Sequence, residues 1–248
     1  MIDARPRSAI QGWAAFGLSL VLAAGPLTAC AQTTASRSVE ASAPAALQSA
    51  VPVQSYEVVR TYPHDPGAFT QGLIYRDGQL IESTGRFPST LRIVRLEDGV
   101  VLKKRELDGA YFGEGIVDWG DRLISLTWRN RVGFVWDIDD LTPLSAFRYP
   151  GEGWALTRDA TRIIMSDGTD ELRFLDPDTL AETGRLQVTA EGEPVTQLNE
   201  LEWVRGEIWA NIWQDNRIAR IDPETGHVVA WIDLSGIFTL TPDMDPAD

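Results

Sequence analysis

Glu114 stands between two glycines, Gly113 and Gly115, directly after the aromatic pair Tyr111-Phe112. A carboxyl set among aromatics and glycine can lose its water shell, and desolvation raises its pKa toward the range where it exchanges protons at neutral pH. The same residue also fits a solvent-facing loop. Three other short segments bring comparable side chains: Phe69 and Gln71 precede Gly72, Glu152 and Trp154 flank Gly153, and Asn199 adjoins Glu200. Trp128 and Trp213 add aromatic surface. Carboxylates, two amides and aromatics gathered at one point would make a pocket for a small ligand and support proton transfer. Each has a plainer use as well. Tryptophan packs by default, as Trp136, Trp203 and Trp209 are expected to do, and Asn199 suits a turn.

Metal chemistry has little to work with. The chain holds two histidines, His64 and His227, and one cysteine, Cys30. A disulfide framework and a Cys-based zinc site are excluded. His64, within Pro63-His64-Asp65-Pro66, reads as structural or as part of a rim. Acidic corners such as Asp176-Pro177-Asp178 read as solvated turns. They leave room for a structural calcium, though they match no defined calcium loop. The 36 acidic against 22 basic residues, a net charge of −14, disfavour a nucleic-acid partner, whose phosphates need a basic surface.

Four repeats place these residues. Their starts are Gln71-Gly72-Leu73-Ile74-Tyr75, Glu114-Gly115-Ile116-Val117, Glu152-Gly153-Trp154-Ala155 and Asn199-Glu200-Leu201-Glu202-Trp203. The spacings from Gly72 to Gly115, to Gly153, to Glu200 are 43, 38 and 47 residues. Each repeat reads as strand, turn, strand, then a third strand ending in an acidic corner, then a fourth. Third strands are expected at Thr90–Leu96, Arg131–Ile138, Glu171–Leu175 and Arg217–Ile221, and fourth strands at Val100–Glu106 and Val228–Leu234. Four short strands per roughly 43 residues is the pattern of a β-propeller blade. A β-sandwich also uses short strands, but it does not repeat this order. The loop into each first strand opens on the ring axis, which would bring Phe69, Gln71, Phe112, Glu114, Glu152, Trp154, Asn199 and Glu200 together. Tyr56–Tyr62, ahead of the first repeat, is the expected closing strand of the ring.

The first thirty residues read as an export signal. Arg5 and Arg7 precede the apolar run from Trp13 to Ala24, too short to span a bilayer as a helix but right for a signal core. Leu27-Thr28-Ala29-Cys30 resembles a bacterial lipoprotein signal, which implies lipidation at Cys30. An ordinary secretory signal cleaved near Ala31 is the alternative. Residues 31–54, rich in Ala, Ser, Pro and Gln, read as a flexible tether, and 55–248 as the propeller domain. The expected location is the periplasmic side of a bacterial membrane, lipid-anchored, or soluble and exported if Cys30 is not acylated.

Several segments taken together resemble the glutaminyl-peptide cyclotransferases of plants and bacteria. They are Phe69-Thr70-Gln71-Gly72-Leu73, Tyr111-Phe112-Gly113-Glu114-Gly115, Glu152-Gly153-Trp154-Ala155-Leu156, Leu198-Asn199-Glu200-Leu201-Glu202 and Ile208-Trp209-Ala210-Asn211-Ile212-Trp213. The resemblance runs from about Tyr56 to Ile237. It implies a five-bladed all-β propeller that converts the N-terminal glutamine of peptides to pyroglutamate with release of ammonia, without zinc or another cofactor. It also implies Glu114 as proton shuttle, Asn199 and Gln71 as holders of the substrate's polar groups, and Phe69, Phe112, Trp128, Trp154 and Trp213 as pocket walls. The expected partners are peptides with N-terminal glutamine, taken up by a monomer. A propeller lipoprotein that binds peptides or envelope partners without catalysis is the alternative. One segment departs from the pattern: the family's fifth blade carries a Gly-Lys-x-Trp-Pro-type stretch with an active-site lysine. Here the last lysine is Lys104, and the next repeat would begin near Asp243. The expectation is therefore a five-bladed type lacking most of its last blade, by truncation of the record rather than by decay of the protein.

Overall fold

The computed structural model describes residues 50–237. The signal, Cys30 and most of the expected tether lie outside them. No helix occurs among the described residues, and the chain runs through nineteen strands.

A short strand, β1 (Val53–Gln54), comes first. Blade 1 is β2 (Thr70–Arg76), β3 (Gln79–Thr84), β4 (Thr90–Arg95) and β5 (Val101–Glu106). Blade 2 is β6 (Gly113–Trp119), β7 (Arg122–Thr127), β8 (Val132–Asp137) and β9 (Pro143–Arg148). Blade 3 is β10 (Ala155–Arg158), β11 (Ile163–Ser166), β12 (Glu171–Leu175) and β13 (Glu182–Gln187). A small hairpin, β14 (Thr189–Ala190) and β15 (Glu193–Pro194), precedes blade 4. That blade is β16 (Leu198–Val204), β17 (Glu207–Ile212), β18 (Arg217–Ile221) and β19 (Val228–Asp233). Within each blade the strands pair antiparallel in sequence order. This is the propeller-like arrangement the repeats predict, with four blades among the described residues.

Local chemistry accounts for the turns. Asp77-Gly78 and Arg205-Gly206 each take two successive positive φ values, as a two-residue hairpin of the primed type requires. At the acidic corners, the carboxylates of Asp137, Asp176 and Asp222 each accept two backbone N–H groups from the residues that follow. The corners are thus Asx turns that satisfy their own backbone.

The core lies between neighbouring blades. Leu91, Leu123, Ile124, Leu126, Ile163, Ile164, Ile208 and Ala219 are fully buried. The outer strands β5, β9 and β13 are largely exposed, whereas β19 is buried along most of its length. The difference arises because β1 pairs in parallel with β19, Val53 opposite Trp231 and Gln54 opposite Ile232.

That pairing corrects the expected closing strand. Residues 55–69 form no strand, and Val58 and Val59 are 54% and 89% exposed. Tyr56–Tyr62 pairs with no strand, and the outer edge of blade 4 is taken by Val53–Gln54 instead. Among the described residues, no cluster of His, Cys, Asp or Glu has the geometry to hold a metal.

Candidate active site

The inner strands meet at backbone contact distance around the axis. A Cβ on Gly72 would come within 2.8 Å of the Ile116 nitrogen, and one on Gly115 within 2.4 Å of the Ala155 Cα. The Gly115 N–H donates to the Trp154 carbonyl at 2.8 Å, joining blade 2 to blade 3. The glycines that mark the repeats are there because nothing larger fits between the strands.

Sequence placed the site residues just before the first strands. The structure places Gln71, Glu114, Asn199 and Glu200 inside them, at register shifts. In β2 the shift falls between Thr70 and Gly72, in β6 between Gly113 and Ile116, and in β16 between Leu198 and Leu201. Each shift is a β-bulge with one extra residue on the inner strand. A bulge releases its residues from the ladder and re-aims their side chains. Here it turns them toward the axis, three blades using the same device.

The result is a cavity of about 380 Å³ lined by Phe69, Gln71, Arg86, Phe112, Glu114, Trp128, Trp154, Asn199 and Trp213. Phe69, Gln71, Phe112, Glu114, Trp128, Trp154, Asn199 and Trp213 line it as expected, whereas Glu152 and Glu200, expected at the same point, do not. Its walls are two aromatic groups. On one side Phe112 meets Phe69, Phe87 and Trp128 with ring centroids 6.2, 5.9 and 5.7 Å apart. On the other, Trp154 and Trp213 meet edge to face at 5.8 Å. Trp136, expected as packing, is 5% exposed and donates its indole N–H to Ser125. Trp203 packs on the blade 3–4 core, while Trp209 is half-buried under Arg220.

Glu114 is 6% exposed. Burial first, then the charges of Glu200 and Glu152, push its carboxyl up to about 9. The group is therefore a neutral acid at pH 7, and it faces the cavity. Glu200 is half-buried, and desolvation holds its carboxyl well above the ordinary value, with the Glu202 charge adding to the effect. One Glu200 oxygen accepts the Leu73 N–H at 3.4 Å, tying blade 4 to blade 1, and the other has no hydrogen-bond partner. The main-chain carbonyl of Asn199 accepts the Ser166 hydroxyl at 2.9 Å, which fixes the bulge and leaves the side-chain amide for the cavity.

A larger cavity of about 640 Å³ opens at the other end of the first strands, among Leu73, Tyr75, Asp118, Arg158 and Glu202. Its charges are largely committed to one another, Arg158 holding Asp118 through two bonds of 2.9 Å, and no expected site residue reaches it. The smaller cavity is therefore the candidate site. His64 lies apart, bonded to Glu82 at 2.8 Å in a structural contact.

The family model described as glutamine cyclotransferase matches residues 26–247. The chain belongs to that family. It is 41% identical over 186 residues to the glutaminyl-peptide cyclotransferase of Arabidopsis thaliana, an alignment covering 74% of this chain and 58% of the plant protein. The chain thus spans little more than half the length of that relative. The crystal structure of the Myxococcus xanthus glutaminyl cyclase superposes with a TM-score of 0.72 at 37% identity, covering 77% of this chain and 84% of that one. A Bacteroides caccae protein of unknown function matches at TM-score 0.54 and 17% identity, which speaks for the fold alone.

Sequence reasoning missed Arg86, which lines the cavity with its guanidinium 4.7 Å from the Phe69 ring centroid. Register within the repeat could have found it. Arg86 lies just past the second strand of blade 1, as Trp128 and Trp213 lie just past those of blades 2 and 4.

Proposed function

We propose that the chain cyclises N-terminal glutamine of peptides to pyroglutamate, releasing ammonia, with Glu114 as proton shuttle. The observation that carries this reading is a buried neutral carboxyl facing an aromatic cavity that also holds two side-chain amides. Family membership supports it.

The chemistry follows from the residue types. The substrate's α-amine attacks its own side-chain amide carbon, so one C–N bond forms and one breaks within a single molecule. Aromatic walls that confine the glutamine side chain bring amine and carbonyl to near-attack distance. The amine must lose one proton and the departing nitrogen must gain one. A carboxyl that rests protonated gives first: Glu114 protonates the leaving nitrogen, then takes the surplus proton from the new ring nitrogen. It ends as it began. Asn199 donates to the oxyanion that forms on attack and collapses as ammonia leaves, and Gln71 holds the substrate's polar end. Phe69, Phe112, Trp128, Trp154 and Trp213 are the walls. No external cofactor enters this balance.

The wider reading includes a ring of the five-bladed type that lacks most of its last blade here. An opening of about 410 Å³ beside Phe69, Gln71, Asn199 and Trp213, between blades 1 and 4, supports it. It also includes export and lipid anchoring at Cys30, supported by the character of residues 1–30. Labelling with a radioactive fatty acid, lost in Cys30→Ala, tests the anchor. For the activity, the folded protein is incubated with a glutamine-first peptide, and loss of one ammonia is followed by mass spectrometry. Conversion that disappears in Glu114→Gln supports the reading. A folded protein that leaves the peptide unchanged sinks it.

A further inference from the structure

Glu152 does not line the cavity, yet both aromatic walls end on it. Its Oε2 accepts the indole N–H of Trp128 at 2.6 Å and that of Trp154 at 3.0 Å. Its Oε1 accepts Arg129 Nε at 2.9 Å, and the Arg129 guanidinium lies 3.8 Å over the Trp128 ring. Trp128 belongs to the Phe69–Phe112 wall and Trp154 to the Trp213 wall. One carboxylate oxygen therefore spans the slot between two blades.

The loop is built to place that oxygen. Gly151 has φ of +80°, the left-handed region that favours glycine. A Cβ on Gly153 would meet the Tyr149 hydroxyl at 2.5 Å, and the Gly153 N–H donates to the Trp128 carbonyl at 3.0 Å. Trp154 in turn lies over Gly168, where a Cβ would fall 2.6 Å from its ring. Burial works against the Glu152 charge, but the donors from Trp154, Arg129 and Trp128 outweigh it and hold the carboxyl below its ordinary value. An ionised acceptor makes stronger bonds to both indoles than a neutral one would.

We infer that Glu152 is a positioning residue that sets the width of the aromatic slot by clasping Trp128 and Trp154 on one oxygen. The inference rests on the cyclisation reading for its functional consequence, while the clasp itself stands on geometry. A slot of fixed width holds the glutamine side chain in its cyclising conformer, so loosening it lowers kcat more than it raises KM.

The test uses the folded protein and two readouts. The first is the pair of indole N–H resonances assigned through Trp128→Phe and Trp154→Phe; the second is the kinetics of glutamine-peptide cyclisation. Glu152→Ala is expected to move both resonances and to lower kcat/KM by about tenfold to hundredfold, mostly in kcat, the range for losing hydrogen bonds to a charge. Glu152→Gln keeps an acceptor oxygen and is expected to recover most of both signals. If Glu152→Ala does not fold, Glu152→Asp retains the charge, withdraws it by one methylene, and must move at least one resonance. Unmoved resonances overturn the clasp whether or not the wild type is active. An active wild type matched by Glu152→Ala in kcat overturns the positioning role alone, whereas an inactive wild type counts against the cyclisation reading.

Discussion

Glu114, the proposed proton shuttle, costs the protein stability. Its carboxyl titrates at about 9 in the folded chain against an ordinary value of 4.5. Between those values the unfolded chain has released a proton that the native state retains. The unfolded state then binds fewer protons, so stability falls as pH rises from 4.5 to about 9. Each pH unit in that window is worth about 1.4 kcal/mol, which makes the deficit about 3 kcal/mol by pH 7. Glu114→Gln removes the titration while keeping the shape. For a domain of this size about 1 kcal/mol shifts Tm by roughly 2–4 °C, so the variant is expected to melt about 6–12 °C above wild type at pH 7. At pH 4.5 the two should melt within a few degrees of each other. Thermal unfolding followed by circular dichroism across pH 4.5–8 reads the gap directly, and turnover should vanish in the same variant. A gap that stays constant with pH, or a variant less stable than wild type at pH 7, would refute the reasoning.

The proposed mechanism needs a neutral α-amine, whose pKa is about 8, and a protonated Glu114, whose carboxyl is pushed up to about 9. The kcat/KM profile is therefore expected to be a narrow bell between those values, and a rate still climbing at pH 10 would exclude Glu114 as the acid. Gly85→Ala sets a Cβ 2.4 Å from the Phe112 ring. It is expected to cost about tenfold in kcat/KM by displacing that wall, read in steady-state kinetics. Arg173 is 1% exposed and bonds Glu182 and the Pro150 carbonyl at 2.8 Å each. Arg173→Met strands its partners and is expected to cost about 3–5 kcal/mol in urea unfolding, a loss below about 1 kcal/mol counting against it.

The blades were legible because the repeats share a punctuation: a glycine at the start of the first three, a turn between the first two strands, an acidic corner after the third. Strand bounds fall within one or two residues of expectation, Glu171–Leu175 and Arg217–Ile221 without change. The pocket residues were legible because one ring axis gathers one position from every repeat. The bulges were not, since an extra residue shows only against the partner strand's register. Tyr56–Tyr62 misled because strand-forming residue types record only the capacity to be a strand, and Val53–Gln54 holds the outer edge of blade 4 in its place. The clasp at Glu152 stayed hidden because Trp128 and Arg129, 24 and 23 residues away in sequence, meet it only on folding.

The parallel seam between β1 and β19 also decides how the domain meets force. A pull on the chain ahead of Val51 enters at β1, the outermost strand of the blade 4 sheet, and β16, which carries Asn199, lies four strands further in. The seam is a two-residue ladder, reinforced by the Trp231 N–H on the Pro52 carbonyl, the Val51 N–H on Glu191, and Arg220 on Gln54, each at 2.9 Å. Such a seam acts as a mechanical fuse. Under load it peels first and leaves the inner strands in register. Peeling also strips the cover from Trp231 and Ile232, each 8% exposed in the sealed state, and opens an apolar edge on which another strand could add.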